Sequence, residues 1–232
     1  MAKNKLTSPK FNQAELICGW CWWAFQFFLL PSLLHAVNEL LPNPLSQAEL
    51  NFTYFLLNFL AVILIFHRFL RKSFDAAAAH PAYFCQAVIL GLVFYLVMSR
   101  VINWCILKLD PTFQNANDAF ISGLHRSSGY LTVLGTVLLA PIAEECFYRG
   151  LFFGTFARKN LWLGYAVSML LFSAIHILGY IGKASTLTLV LSFLQYLPAG
   201  LCLAWSYAKS ETILTPIVIH TLINAWGIYE MR

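Results

Sequence analysis

The chain has 232 residues, of which 59% are hydrophobic and 11% charged, and its formal net charge is +5. A soluble domain carries about 25% charged residues, so a water-facing globule is excluded, and the expected fold class is an all-α polytopic transmembrane helical bundle. At this length the chain is expected to form a single transmembrane domain over 1–232, with no room for a separate soluble domain.

A membrane-crossing helix needs roughly 20 apolar residues. On that criterion the sequence predicts about seven spans, near 15–37, 52–69, 83–107, 129–157, 161–180, 185–207 and 212–229. The first is too long, and lacks the small-residue cleavage site, to be a removed signal peptide. Its Cys18 and Cys21 have C-x-x-C spacing, but the surroundings are Trp, Phe and Ile with no second ligand pair. They are expected to act as small apolar residues packing between helices. Asn51-Phe52-Thr53 fits a glycosylation sequon, a triplet common by chance. The segment 108–128 is the one long polar connection, where Asp110-Pro111 and the run Asn115–Asp118 read as turn chemistry. In the last span Thr215-Pro216 could cap the main helical part, with Pro216 at the first helical position and a broken or re-entrant stretch before it. No internal repeat or low-complexity tract is visible.

Lysine and arginine placement sets the expected orientation. Lys3, Lys5 and Lys10 precede the first span; Arg68, Arg71 and Lys72 follow the second; Arg158 and Lys159 follow the fourth, and Lys209 the sixth. The alternate connections hold fewer: Lys108 and Arg126, then Lys183, then Arg232. The N-terminus is therefore expected in the cytoplasm of an integral protein of the plasma membrane, with the C-terminus outside. The excess of positive charge is a topology signal and implies no nucleic acid partner.

Glu144 and Glu145 lie side by side within the apolar fourth span, with Arg149 one turn later. An ionisable group at bilayer depth costs roughly 2.5–3.5 kcal/mol on insertion scales. Glu145 and Arg149 are i and i+4, acid first, the favourable order for a pair on one face. Glu144 is rotated about 100° away. The expected division is a structural Glu145 held by Arg149 and a Glu144 free to take and return a proton. The competing reading is a charge network that only locks helices together. Pro141 removes one backbone bond and frees the carbonyl of Val137; this opens the helix beside the carboxylates or is an ordinary membrane-helix proline. Cys146, next to the glutamates, sits in apolar surroundings that keep a thiol inert.

His176 lies in the fifth span, where a lone histidine is more often a packing residue. His220 and Asn224 are i and i+4 on the last helix and share a face. His35, His67, His80 and His125 fall at span ends or in loops and need no special role.

Glu144-Glu145-x-x-x-Arg149, Phe172-x-x-x-His176 and His220-x-x-x-Asn224 together resemble the three motifs of the CAAX-protease and bacteriocin-processing (CPBP/Abi) family of intramembrane glutamate-type endopeptidases, which includes the Ras-converting CAAX endopeptidase. Each motif alone is weak; three in the family's order, each in an apolar span, form a specific signal over about 129–229. The first 128 residues carry no family motif. The resemblance implies that Glu144 and His176 activate a water, that His220 and Asn224 stabilise the oxyanion, and that Glu145 and Arg149 are the supporting acid and base. The expected activity is an intramembrane endopeptidase acting on a membrane-associated peptide or protein. A lipidated substrate follows from the family name alone, and membrane lipid is the surrounding partner. A base, a water and two polarising donors are the parts acyl hydrolysis needs.

No cofactor is expected. Two histidines and a glutamate could form a three-ligand zinc site, but no H-E-x-x-H pattern is present, and Arg149 disfavours a nearby divalent cation. A proton-coupled transporter would predict internal symmetry, and none is visible. A non-catalytic scaffold or immunity protein would predict loss of a motif residue, and all are present. On the expected orientation His220 lies nearer the cytoplasmic end of its span and His176 nearer the other; access from the cytoplasmic side is the expectation.

Overall fold

The computed structural model describes residues 8–231, so Lys3, Lys5 and Arg232 of the charge pattern lie outside the described residues. It is an all-α polytopic bundle, with no strand among the described residues. In chain order the helices are α1 (Gln13–Phe28), α2 (Leu30–Glu39), α3 (Gln47–Ala79), α4 (Pro81–Leu109), α5 (Ala116–Ser127), α6 (Gly129–Ala157), α7 (Leu161–Leu178), α8 (Thr186–Ser210) and α9 (Leu214–Glu230).

Five helices, α3, α4, α6, α7 and α8, are long and apolar enough to cross a membrane, and α1 with α2 makes a sixth candidate. The expected first span is thus a bent pair, broken at Leu29 with a 50° change of direction, and Pro31 opens the second half. The expected seventh span is α9, at 17 residues a little short of the usual crossing length. It begins at Leu214, so Pro216 sits at the third helical position, still within the first turn, where its missing N–H costs nothing. The broken stretch expected before it is absent: Ile213 is the N-cap, and the Thr212 hydroxyl ties the turn to the Ser73 carbonyl at 2.7 Å.

α3 runs well beyond the predicted 52–69, so Arg68, Arg71 and Lys72 lie on the helix and not in a loop after it. It kinks at Phe66 (φ −102°, ψ 17°), which frees backbone donors just beyond. Glu15 of α1 takes up one of them: its Oε1 accepts the Phe69 N–H at 2.8 Å, and its Oε2 accepts the Asn12 N–H in a capping box. The polar connection also differs from expectation. Thr112 does fold back on the Asp110 carboxylate, as turn chemistry requires. Asn115, however, is the N-cap of α5, whose Ile121 and Leu124 are buried against Val137 and Ile228. Exposed aromatics (Tyr83 and Trp162 near one end, Trp104, Tyr130, Trp226 and Tyr229 near the other) fit the two membrane–water interfaces.

Cys146 and Cys202 are buried, but Cys18, Cys21, Cys85 and Cys105 are exposed on the outer helix surface. The expectation that Cys18 and Cys21 pack between helices is therefore corrected: the inward face of α1 is carried by Glu15, Gly19 and Gln26.

Candidate active site

The site is built on the irregular middle of α6. Two π-helical stretches, Val133–Leu139 and Cys146–Phe153, flank an α-helical turn Ala140–Glu145. Such wide turns cluster at functional sites, and each shifts the register of the residues after it. The register explains Pro141. The Ala140 N–H reaches Gly135 O, five residues back, so the bond that Pro141 cannot make is the one to Thr136. The freed carbonyl is therefore that of Thr136, one residue earlier than α-helical spacing predicts for Val137. It accepts the Asn224 side-chain amide at 2.8 Å.

Glu145 and Arg149 pair as expected, fully buried, with Arg149 Nη1 2.9 Å from Glu145 Oε1. Arg149 also donates to Gly200 O at 3.2 Å and lies over the Phe172 ring at 4.3 Å. The same Glu145 Oε1 receives His220 Nδ1 at 2.7 Å. An ionised carboxylate accepts only, so Nδ1 carries the proton of that bond and Nε2 faces the other way. There it meets Glu144 Oε2 at 3.9 Å. Glu144 keeps 24% of its side chain exposed, and its Oε2 has no hydrogen-bond partner among the described residues.

His176 donates from Nδ1 to the carbonyl of Phe172, four residues back, at 2.7 Å. The backbone carbonyl accepts only, so the lone pair is left on Nε2. The ring lies between Phe172 at 4.7 Å and Tyr196 at 4.2 Å, stacked on the latter at 25°. The Tyr196 hydroxyl accepts from Asn117 at 2.9 Å and donates to Asp118 at 3.1 Å, so the first turn of α5 braces the histidine. Burial holds the Asp118 carboxyl above the usual carboxylate range, partly offset by that hydroxyl.

Glu144, His176, His220 and Asn224 line one cavity of about 380 Å³, with Glu145 and Arg149 buried behind it. None of His35, His67, His80 and His125 reaches the cavity. The cavity runs from Glu144 to Asp118 of α5 and Glu230 of α9. That is the end opposite the α3–α4, α6–α7 and α8–α9 turns. Among the described residues no group of three or more His, Cys, Asp and Glu is arranged to hold a metal ion.

Sequence reasoning missed Tyr196, and it missed the carboxamides of Gln26, Asn58, Asn103 and Gln195, which line the same cavity. The signal was present: each is a polar residue inside an apolar helix, the kind that faces a bundle interior. Asn117 and Asp118 were read as turn residues only.

Fold and cavity define an integral membrane protein of the all-α polytopic class, with a carboxylate–histidine cluster inside the bundle. Residues 126–226 match the family described as type II CAAX prenyl endopeptidase Rce1-like. The match covers the part of the chain that holds all three motifs. Over 84 residues the chain is 32% identical to UPF0177 protein YbdI of Lactococcus lactis subsp. lactis (strain IL1403), covering 36% of this chain and 40% of that protein. Over 101 residues it is 28% identical to an uncharacterized 24.3 kDa protein of Escherichia coli, covering 42% of this chain and 43% of that one. The chain therefore spans less than half the length of the curated relatives it matches. No solved structure matches the chain.

Proposed function

We propose that this protein is an intramembrane endopeptidase that hydrolyses a peptide bond of a membrane-associated peptide or protein. The observation that carries the reading is the unequal treatment of two adjacent carboxylates. Glu145 is buried and ion-paired, while Glu144 faces the cavity with an unpartnered oxygen 3.9 Å from His220 Nε2. That distance is too long for a direct hydrogen bond, so Glu144 is not held as Glu145 is.

In this mechanism Glu144 takes a proton from a water, and His176 Nε2 accepts a hydrogen bond from the same water and orients it. The water oxygen bonds to the carbonyl carbon of the scissile peptide. Charge developing on the carbonyl oxygen is met by His220 Nε2–H in the imidazolium form and by the second amide N–H of Asn224, whose first is bound to Thr136 O. One such donor is worth roughly 2.7–4 kcal/mol. The C–N bond then breaks as Glu144 returns the proton to the leaving amine, giving a new carboxyl and a new amino terminus. Glu145 and Arg149 orient His220 and keep the cluster near neutral.

A purely structural network is a poorer account. Buried ion pairs are weak sources of stability, and this cluster leaves Glu144 Oε2, Glu145 Oε2 and Arg149 Nε without partners, which packing alone gives no reason to retain. The Rce1-like match over 126–226 supports the same reading. The test compares peptides released from membranes of cells carrying the wild type or Glu144→Ala. Fragments present only with the wild type are expected; identical fragments from both would sink the assignment.

A further inference from the structure

The cavity wall has a chemical bias that the family resemblance did not suggest. Six carboxamides face it, Gln26, Asn58, Asn103, Asn117, Gln195 and Asn224, one each from α1, α3, α4, α5, α8 and α9. Six different helices each place a group that offers two N–H donors and a carbonyl acceptor. Each spends part of that capacity on holding position. Asn58 accepts from Trp22 at 3.1 Å, Gln195 donates to Asn103 at 3.1 Å, and Gln26 accepts from the Tyr54 hydroxyl. Asn58, Asn117 and Gln195 are bonded through both nitrogen and oxygen, and each carboxamide keeps at least one further N–H beyond the bonds named.

We propose that this cavity takes an extended, unlipidated stretch of polypeptide through its backbone and holds no isoprenoid chain; this rests on reading the cavity as the substrate site of the peptidase. An extended backbone carries one donor and one acceptor per residue, which matches carboxamides facing from several sides. An isoprenoid offers carbon alone. Seating it here would place it against Phe55, Phe147, Phe172 and Ile223 of the same wall, but would strip water from the carboxamides at roughly 1–3 kcal/mol for each group left unpaired. The volume, about 380 Å³, also lies near the small end of ligand pockets, roughly 300–1,000 Å³, which suits a few residues of backbone better than those residues plus a lipid. A lipid on a natural substrate would stay in the bilayer outside the cavity.

The test uses the full chain in lipid nanodiscs, with two probes: a fluorescent library of unlipidated octapeptides, and S-farnesylcysteine methyl ester. The library is expected to bind the Glu144→Gln protein, which prevents turnover. Asn103→Leu with Gln195→Leu is expected to weaken that binding by about tenfold or more, since two hydrogen bonds at about 1 kcal/mol each exceed one decade. The farnesyl compound is expected neither to displace the library nor to respond to the double substitution. Displacement by the farnesyl compound, no library binding, or unchanged binding to a double variant whose melting point matches its parent would each overturn the proposal. Cleavage of the library by the wild type is followed in parallel. Binding as expected, with cleavage that persists in Glu144→Gln, would leave the substrate class standing and remove the catalytic assignment.

Discussion

At the scale of single residues, the behaviour of Asn224 follows from Pro141. A buried carbonyl left without a partner costs about 1–3 kcal/mol, and Asn224 prevents that cost at Thr136. Asn224→Leu should therefore destabilise the protein by about that amount, read as a lower melting point in detergent. In a Pro141→Ala background position 141 regains an N–H for Thr136 O, and the same substitution should cost much less. Equal effects in both backgrounds would refute the coupling. Arg149→Met should be severe: it removes one partner of a fully buried ion pair, a change worth about 3–5 kcal/mol, and folded yield should fall sharply. The pairing of Glu145 with Arg149 was legible in the sequence because i, i+4 geometry is local. The contact of Glu145 with His220 was not, because 75 residues separate the two.

At the scale of elements, α5 shows where pattern reading stopped. Its asparagines and aspartate look like turn residues, yet Asn115 caps a helix whose next residues brace Tyr196. Asp118 there binds a proton more readily folded than unfolded, because burial raises its pKa. Its ionised form thus opposes folding, and this penalty grows as pH rises through the ordinary carboxylate range and then through the higher folded value. Asp118→Asn keeps an acceptor for the Tyr196 hydroxyl, so it should raise the melting point at neutral pH, with the gain shrinking toward acid pH. A gain independent of pH would refute the cause. Helix contacts set a second contrast. A Cβ at Gly164 would lie 2.8 Å from the backbone of Ala157, whereas one at Gly123 meets nothing within 4 Å. Gly164→Ala should lower the melting point, and Gly123→Ala should leave it unchanged or raise it, since alanine is the better helix former by about 1 kcal/mol.

At the scale of the whole molecule, orientation and access meet. With the N-terminus cytoplasmic, as the lysine and arginine bias expects, the α5 end toward which the cavity runs faces outward. That opposes the cytoplasmic access expected from the sequence, where His220 and His176 fell at different depths. Asn224 and the α5 end set only the pole of the bundle toward which the cavity extends. In a cysteine-free background, Ser185→Cys should react with a membrane-impermeant maleimide on intact cells, and Asn160→Cys only after permeabilisation. The reverse pattern would invert the protein and return the cavity to the cytoplasmic side.

The composition alone determined that this chain lives in a membrane as helices, because so few charges cannot cover a wet surface. Local spacing determined which side chains share a helix face, hence the Glu145–Arg149 pair and the common face of His220 and Asn224. Tertiary structure decided the rest. Which carboxylate stays unpartnered depends on His220 arriving from a distant helix, and which carbonyl Pro141 frees depends on a π register that packing imposes. The carboxamide-lined wall exists only because six helices converge. Periodicity reports what one helix presents to its neighbours, and a cavity is a property of the space those neighbours leave between them.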